Sequence, residues 1–512
     1  MTTIRALEFF SGIGGLHFGF NASGAKGEVL DSFDMNQQAN DTYLLSFGKK
    51  PVSRGIDRLM VKDIEKYNAN CWLMSPPCQP YTRGGKLLDD QDNRAKPLLH
   101  LLDQLERMSS PPTYVFLENV KNFEVSRSRE RLVRLLNKMG YVFRECLLAP
   151  YNFGVPNDRL RYFLMARLRS SFKQDTTIVP TGSIAITTTT ITTTTTATTT
   201  TAAAAATSSS TAPESLVGDV FDPEKELIYT TWPFPAFVED PKTPVQQHSF
   251  KLPELRHFLD KDETHVKDYL LSKQLILERP NFRFDILRPS SNRSSCFTKA
   301  YGGHHVASGG GLLQTLKMEQ EDYDFGNSES IAELGLRFFS PTEVARLHVF
   351  PLKEEHEYGL DGDSNSNSNN HNKTNGSSTS ENDKDADSIQ TTQVHPNSQQ
   401  TVTTVRPFDP QLARKPEGPF LQFPHKLKAL QRYKLLGNSL NVWVVAELLR
   451  GILFADHPGT PLPVYRTSDE SSKPLESTSK HSIDKHSESI ESEQNTVEDE
   501  ARNPKRLKTQ TA

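Results

Sequence analysis

Hydrophobic residues are scarce in this sequence, at 35% of 512 residues, whereas nearly half is usual in globular proteins. Three stretches account for much of the deficit: a Thr/Ala/Ser tract at 187–211, an Asn-, Ser- and Asp-rich segment at 353–415, and a Ser- and Glu-rich tail from 466. Such compositions bury too little apolar surface to offset the chain entropy of folding. We therefore predict that these stretches are disordered and that the remainder builds the fold.

Cysteine is also rare. The four cysteines lie far apart and form no CxxC pair, which argues against a disulfide framework and against a cysteine-based zinc site. The histidines show no ligand spacing, so we expect no metal. No apolar run reaches the length of a membrane span. Setting aside the acidic segments at 353–415 and 466–512 leaves a slightly basic remainder, which permits a nucleic-acid partner.

The first glycine-rich stretch lies between an apolar run at 4–10 and a helix-like segment at 16–20. Strand, glycine turn and helix in this order predict the opening of a Rossmann-like sheet, because glycines let the backbone approach a ligand closely. Asp34, at the end of a second apolar run, is placed to accept hydrogen bonds from ribose hydroxyls, and Ile56 with Asp57 could flank an adenine. A glycine turn with a later acid also occurs without a cofactor, so both interpretations stay open here.

Apolar runs and amphipathic segments alternate through the rest of the N-terminal third. The pattern predicts strands at 71–75 and 114–117 and helices at 97–108 and 131–139. Such alternation is typical of the α/β class, with a parallel sheet covered on both faces. Ligands bind beyond the carboxyl ends of the strands in these sheets, and three polar clusters lie at or beside predicted strands.

The first cluster is Cys78 within the sequence SPPCQP at 75–80, directly after a predicted strand. The prolines restrict the backbone and hold the thiol on a stiff loop. A free cysteine is more often a small buried hydrophobe, but this position favours a nucleophile. The thiolate is the reactive form of cysteine, and nearby arginine charge would increase its population.

The other two clusters supply a carboxylate and two guanidinium groups. Glu118 directly follows the predicted strand at 114–117, and Arg159 and Arg161 are two apart in a strand-like segment. Side chains two apart on a strand share a face, so we expect the two arginines to project together. Taken alone, two arginines would favour an ordinary half-exposed strand.

Five motifs, in chain order, resemble those of the cytosine carbon-5 methyltransferases. They are FFSGIGG at 9–15, PPCQP at 76–80, ENV at 118–120, RLR at 159–161 and GNSLNV at 437–442. Each motif is weak to moderate singly, but five in register are a strong signal. The resemblance implies an S-adenosylmethionine-dependent enzyme with a Rossmann-like methyltransferase sheet, a smaller substrate-recognition domain and long disordered insertions.

The resemblance also implies roles for individual residues. Cys78 would attack carbon 6 of cytosine, and Glu118 would provide a hydrogen bond or a proton to ring nitrogen 3. Arg159 and Arg161 would hold the carbonyl oxygen of the base, Glu118 and nearby phosphate. The implied cofactor-binding residues are Phe10, Ser11, Gly12, Gly14, Gly15, Asp34, Met35, Ile56, Asp57, Asn438 and Ser439. The implied substrate-binding residues are Gln79, Asn119, Cys296 and Lys299.

Within the family, the chain resembles the tRNA methyltransferase branch. The resemblance rests on CFTK at 296–299, LRFFSPTE at 336–343 and QRYKLLG at 431–437. It implies methylation of a cytosine in the tRNA anticodon loop, typically position 38 of the aspartate tRNA. Two departures are Asp158, where a neutral polar residue is common, and the insertion at 353–415 between the last motifs. A DNA cytosine methyltransferase stays open as the alternative; an inactive nucleic-acid reader and a nicotinamide-dependent dehydrogenase explain fewer motifs.

The predicted organisation has a cofactor-binding and catalytic domain at 1–170 and a small substrate-recognition domain at 213–335, joined by a low-complexity linker at 171–212. The segments 336–352 and 416–458 would complete the catalytic domain, with 353–415 and 459–512 disordered. We expect a monomer without membrane attachment. The expected location is the cytoplasm, the nucleus or both, because the basic run at 504–508 resembles a nuclear localisation patch.

Overall fold

The computed structural model of the chain describes residues 3–82, 88–171, 221–237, 245, 250–261, 266–303, 309–353, 405–415 and 418–455. All of them belong to one unit, Met1–Val464, and a second unit, Tyr465–Ala512, lies outside the described residues. The Thr/Ala tract at 187–211, the part of the predicted insertion at 354–404 and the predicted tail at 459–512 also lie outside them.

The centre of the fold is a seven-stranded sheet with the strand order β2-β1-β3-β4-β6-β5-β7. The described strands are β1 Ile4–Phe9, β2 Gly27–Phe33, β3 Cys71–Met74, β4 Tyr114–Val120, β5 Tyr141–Leu148, β6 Arg161–Leu168, β7 Ile228–Tyr229, β8 Ile286–Leu287, β9 Leu312–Leu313, β10 Leu352–Lys353 and β11 Arg414–Lys415. The predicted parallel sheet is present from β2 to β4, but the prediction is wrong at β6, which runs antiparallel to both β4 and β5. A parallel return needs a long crossover, usually a helix, and only a short 3₁₀ turn, Pro150–Phe153, lies between β5 and β6.

Helices cover both faces of this sheet. The described α-helices are α1 Gly15–Ser23, α2 Gln37–Phe47, α3 Val61–Glu65, α4 Lys96–Arg107, α5 Arg127–Lys138, α6 Lys273–Leu277, α7 Ser328–Ala332, α8 Pro341–Leu347, α9 Ala429–Gly437 and α10 Val442–Leu448. Helix α5 begins four residues before its predicted start, because the Ser126 side chain caps it by accepting from the Arg129 amide. Ser340 caps α8 with Glu343 completing a capping box, as the sequence predicts.

Alternate residues of the strands enter two separate cores. Ile4 and Ala6 of β1 join the core that contains α1, α8 and α10, whereas Leu7 and Phe9 join the core under α4 and α5. The alternation follows from the two-residue period of a strand. The last helix, α10, is followed by a π-helical turn at Leu449–Leu453 and packs against α1. The end of the described chain therefore completes the fold that the first strand begins.

A third, smaller core lies within the segment 276–336. It joins α6, β8, β9 and α7 through Ile276, Phe284, Leu312 and Ile331. The strand β7 comes from the same predicted domain, 213–335, but pairs with β5 in the main sheet. The division into a catalytic and a small domain stays a prediction, and β7 belongs with the main sheet.

The segment 405–415 departs from the expected disorder. Arg406 forms an ion pair with the buried Glu447 of α10, and its guanidinium lies 4.5 Å from the ring centre of Trp443. Arg414–Lys415 pairs with Leu352–Lys353 as β11 and β10. The prediction of one disordered stretch over 353–415 is therefore wrong for residue 353 and for 405–415. The low average hydrophobicity of the stretch hides a few apolar residues at its end that reach the core, among them the buried Ala413.

Candidate active site

A cavity of about 310 Å³ lies at the carboxyl ends of β1 to β4, which is a volume suited to a small-molecule ligand. Its walls come from the loops after β1, β2 and β3, the end of β4, the start of β6 and the segment 435–440. Fifteen predicted site residues line it: Phe10, Ser11, Gly12, Gly15, Asp34, Met35, Ile56, Cys78, Gln79, Glu118, Asn119, Arg159, Arg161, Asn438 and Ser439. The topology thus brings together residues from both ends of the described chain.

The loop after β1 turns sharply into α1. Phe10 and Gly12 have positive φ angles of 58° and 53°, a region that favours glycine, so the backbone at Phe10 is strained. The amide of Gly12 donates to Asp34 Oδ2 at 2.9 Å, and the amide of Asn36 donates to Oδ1 at 2.7 Å. Burial raises the pKa of Asp34, and these amide hydrogen bonds oppose the rise. Asp34 therefore joins the loops after β1 and β2 at the cavity wall.

The wall around Asp34 combines apolar surface with a few polar atoms. Phe10, Met35 and Ile56 line it, and Met35 is 69% exposed although apolar. The buried hydroxyl of Ser11 has no hydrogen-bond partner among the described residues. Buried polar groups are nearly always hydrogen-bonded, so this hydroxyl is suited to bind a ligand. A flat heterocycle bordered by hydrogen-bonding groups fits such a surface.

Cys78 lies on the loop after β3, at the other end of the cavity. The Asn119 side-chain amide donates to the Pro76 carbonyl at 3.2 Å and fixes this loop to β4. Burial raises the pKa of the Cys78 thiol; the charges of Arg161, Arg159 and Lys299 oppose that rise, and the charge of Glu118 adds to it. The thiol is thus held in a partly enclosed place where cationic groups favour its reactive form.

Glu118 lies inside β4 and not after it, because β4 continues to Val120 along β6. Its side chain is 6% exposed. The Ser75 hydroxyl donates to Glu118 Oε2 at 2.9 Å, and Arg161 Nε lies 3.5 Å from Oε1. The carboxylate is therefore oriented from two sides while it borders the cavity.

The two arginines have different surroundings. Arg159 is buried and donates to the carbonyl oxygens of Phe297 at 2.9 Å, of Gly437 at 3.0 Å and of Ser439. Arg161 faces Glu118 and donates to the Leu160 carbonyl at 2.7 Å. The prediction that both lie on one strand face is wrong, because β6 begins at Arg161. Both still border the cavity, Arg159 as a clamp on distant chain segments and Arg161 as the partner of the carboxylate.

Four predicted site residues, Gly14, Asp57, Cys296 and Lys299, are not among the residues that line the cavity. Gly14 packs under Phe47, where an added Cβ would lie 2.4 Å from the ring, and Asp57 lies in a 3₁₀ turn. Burial opposes ionisation of the Cys296 thiol, but the Arg159 and Arg161 charges outweigh it and lower its pKa. Cys296 and Lys299 thus lie beside the arginines and the thiol.

Lys299 also explains why residue 437 is glycine. A Cβ at Gly437 would lie 2.3 Å from the backbone nitrogen of Lys299, a distance that real contacts do not reach. The segment 296–299 is therefore pressed directly against the end of α9. The fold brings the segment 296–299 and the segment 437–442 into contact beside the cavity.

The site also contains residues that sequence reasoning missed. Ser75 orients Glu118, and its place directly after a strand was the available signal. Asn36 caps α2 with its side chain and binds Asp34 with its amide. Pro97, Leu435 and Leu440 line the cavity without any polar signal in the sequence. An apolar residue that lines a cavity has the same local sequence pattern as a core residue when the other cavity residues are distant in the sequence.

In the part of the chain that the structure describes, no group of three or more His, Cys, Asp and Glu side chains is arranged to hold a metal ion. All four cysteines are described, and all are free thiols. A search of the same residues finds no helix with the length and apolar character that a membrane span requires.

Comparison with known proteins identifies relatives of the chain. The family model described as C-5 cytosine-specific DNA methylase matches residues 4–366. The chain is 31% identical over 459 residues to the DNA (cytosine-5)-methyltransferase of Dictyostelium discoideum, covering 88% of this chain and 94% of that one. It is 31% identical over 462 residues to the tRNA (cytosine(38)-C(5))-methyltransferase of Mus musculus, with coverage of 88% and 93%.

A solved structure supports the same fold. The methyltransferase EhMeth of Entamoeba histolytica superposes with a TM-score of 0.56 at 23% identity, covering 89% of this chain and 99% of that one. This confirms the predicted α/β fold with a Rossmann-like methyltransferase sheet.

Proposed function

Because this chain belongs to the C-5 cytosine-specific DNA methylases, it is an S-adenosylmethionine-dependent methyltransferase, and we propose that its substrate is a cytosine in tRNA. The specific proposal is carbon 5 of the cytosine at position 38 of an aspartate tRNA, reached through a covalent bond to Cys78. The observation that carries the chemistry is the grouping of the Cys78 thiol, the Glu118 carboxylate and Arg161 at one end of a cavity whose other end contains the glycine loop.

The cofactor end has the groups that S-adenosylmethionine requires. Asp34 would accept hydrogen bonds from the ribose, Phe10 and Ile56 would enclose the adenine, and the unpartnered Ser11 hydroxyl would bind a polar group. Asn438 borders the same space from the C-terminal segment. When bound, the cofactor supplies an activated methyl group.

Cys78 begins the reaction in this proposal. Carbon 5 of cytosine is a weak nucleophile, so the Cys78 sulfur first bonds to carbon 6 and the electron pair moves toward ring nitrogen 3. Glu118 stabilises the negative charge on that nitrogen by sharing a proton with it. Carbon 5 is then nucleophilic enough to accept the methyl group that the bound cofactor would supply. A base then removes the proton from carbon 5, the ring double bond re-forms, and the bond between carbon 6 and the Cys78 sulfur breaks.

The arginines support these steps in different ways. Arg161 holds Glu118 through the 3.5 Å contact and favours the thiolate of Cys78 by its charge. Arg159 fixes the segments at 297 and 437–439 that close the cavity. Guanidinium groups are also suited to hold the carbonyl oxygen of a base or a nearby phosphate, which is the role that we propose for both side chains where they border the cavity.

The choice of tRNA rests on the sequence at 296–299 and on the mouse relative, whose name specifies a tRNA cytosine. A cytosine in a loop is already unpaired, so it avoids part of the few kcal/mol that flipping a base from a duplex requires. The Dictyostelium relative is named as a DNA enzyme, so DNA is the alternative substrate. A monomer and a cytoplasmic or nuclear location stay predictions.

The test is a direct competition between polymers. The full chain is given aspartate tRNA, the same transcript with uracil at position 38, and a duplex DNA of mixed sequence, at equal concentration and with labelled cofactor. We expect fast transfer to the first tRNA only, and bisulfite sequencing should place the mark at position 38. Equal or faster transfer to the duplex would replace tRNA by DNA. A tRNA with 5-azacytosine at position 38 should form a denaturation-resistant complex with the wild type and none with Cys78→Ala.

A further inference from the structure

A carboxyl group is buried beneath the loop that joins β1 to α1 at residues 10–14, which we call the cofactor loop. Glu8 lies in β1, two residues before Phe10, and is 0% exposed. No arginine, lysine or histidine forms an ion pair with it among the described residues. Burying an ionised carboxylate without a cation is unfavourable, so packing alone does not explain a glutamate at this position.

Glu8 belongs to a chain of three hydrogen-bonding side chains. The Tyr43 hydroxyl lies 2.9 Å from Glu8 Oε2 and 2.7 Å from His17 Nδ1, and the His17 amide donates to Glu8 Oε1 at 3.1 Å. The His17 ring stacks on Phe47 at a centroid distance of 3.9 Å. The chain therefore connects β1 with the first turns of α1 and with α2.

This chain can hold either protonation state of Glu8 without losing a hydrogen bond. When Glu8 is neutral, its hydroxyl donates to Tyr43 and the Tyr43 hydroxyl donates to His17 Nδ1. When Glu8 is ionised, Tyr43 donates to Glu8 and His17 donates from Nδ1 to Tyr43, in its other neutral tautomer. Loss of a proton from Glu8 thus reverses the direction of the bonds and keeps all of them.

The charged groups around Glu8 are few. Asp34 acts on it from the end of β2 and Tyr43 from α2. In register on the neighbouring strands are Leu73 and Ser32, and the Ser32 side chain also forms a hydrogen bond with Tyr43. Burial raises the pKa of Glu8 to about 8, against the hydrogen bond from Tyr43, and the Asp34 charge adds to the rise. Burial lowers the pKa of His17 to about 4, so the imidazole stays neutral.

We propose that Glu8, Tyr43 and His17 form a proton-responsive positioning chain under the cofactor loop. Glu8 releases a proton when a cation enters the cavity, and its negative charge then favours binding of the positively charged methyl donor over the neutral product. Asp34 and an ionised Glu8 repel each other, and a nearby cation offsets that repulsion. S-adenosylmethionine carries a sulfonium charge that S-adenosylhomocysteine lacks. The inference rests on the cofactor of the family and not on the choice of nucleic acid.

The experiment measures binding of both ligands to the full chain by calorimetry, from pH 6.5 to pH 9, in two buffers of different ionisation enthalpy. The two ligands have the same amino and carboxyl groups, but the sulfonium charge lowers the pKa of the amino group of the donor. The same titration is therefore run on Glu8→Gln, and the difference between the wild type and the variant is assigned to Glu8. We expect the preference for S-adenosylmethionine to rise several-fold with pH, with more protons released than on binding of the product. Proton release on binding of the donor that is the same in the wild type and in Glu8→Gln would overturn the proposal.

Two variants separate this role from simple packing. Glu8→Gln keeps the shape of the side chain but cannot ionise, so the pH dependence of the affinity ratio should fall to the part that the ligands' own amino groups cause. The melting temperature shows that the variant is folded. Tyr43→Phe removes a bond that lowers the pKa of Glu8, so the rise in preference should move to higher pH. A folded Glu8→Gln variant with the wild-type pH dependence would exclude the proposal. Because no nucleic acid is present, the result is independent of whether tRNA or DNA is methylated.

Discussion

The two ends of the cavity are built from different parts of the chain. At the cofactor end, Asp34 binds the amides of Gly12 and Asn36, so its partners lie at most 22 residues away. At the base end, Arg159 binds carbonyl groups up to 280 residues away. The two loops around Asp34 are therefore a local product of the first strands, with Asn438 added to the cofactor end from the C-terminal segment, whereas the base end depends on Arg159 joining segments from across the fold. Substitutions at the two ends should fail in different ways.

The largest expected effect is at Cys78. Cys78→Ala removes the proposed nucleophile and should lower methyl transfer by several orders of magnitude, whereas cofactor affinity should change little because the cofactor end does not depend on the thiol. Radiolabel transfer and calorimetry measure the two quantities on the same preparation. Substantial residual transfer would show that Cys78 is not the nucleophile.

The next largest effect should be on stability, at Arg159. Arg159→Ala leaves three carbonyl groups without their donor, and each unsatisfied buried group costs about 1–3 kcal/mol, so we expect a loss of about 3–5 kcal/mol in the free energy of unfolding. Arg161→Ala is the comparison variant. It leaves Glu118 without its cationic partner but releases no distant chain segment, so we expect a smaller loss of about 1–3 kcal/mol. Denaturant unfolding of both variants measures the difference. Equal losses would contradict the role of Arg159 as a clamp.

Substitutions of Asp34 test the cofactor end of the cavity. Asp34→Ala should weaken S-adenosylmethionine binding by about 1–3 kcal/mol, the usual effect of losing hydrogen bonds to a charged group, with less change in turnover at saturating cofactor. Asp34→Asn serves as the control that retains one acceptor. Calorimetry that finds unchanged affinity for the alanine variant would remove Asp34 from the proposed ribose site.

The smallest effect concerns pH. Since burial raises the pKa of the Cys78 thiol, the thiolate fraction should increase with pH through the neutral range, by about tenfold per unit at most, and transfer at saturating substrates should rise with it. Arg161 opposes the pKa rise, so Arg161→Ala should move the profile to higher pH. A profile that falls with pH in this range, or moves to lower pH in the variant, would contradict the assignment.

The same comparison explains what the sequence could predict. The glycine loop, Asp34 and Cys78 follow short apolar strands, and a local pattern is sufficient to place them at one edge of a sheet. The reversal of β6 between β4 and β5 depends on pairing between whole strands, which no window of the sequence contains. For the same reason, the sequence correctly predicts that Arg159 and Arg161 lie at the same site but wrongly attributes this to a shared strand face.

Two further differences have a similar origin. The order of 405–415 comes from Arg406 and its partner Glu447 in α10, 41 residues further on, so composition averaged over the insertion could not reveal it. The sequence carries no signal that Glu8 is buried, because an acid inside an apolar run is usually exposed on one face of its strand. Only the position of Tyr43, brought beside it by α2, shows that this carboxyl group is enclosed.

The packing of α10 on α1 bears on how the protein is made. During translation, the nucleophile loop and Glu118 leave the ribosome long before the residues of α10 are synthesised, and chains generally fold from the N-terminus as they emerge. Until residues 437–448 follow, Arg159 lacks two of its carbonyl partners and α1 lacks its neighbour. A product of premature termination within 353–415 would therefore contain every residue proposed to react with the base but not the closed cavity in which they act, so that the proposed activity requires synthesis through residue 448.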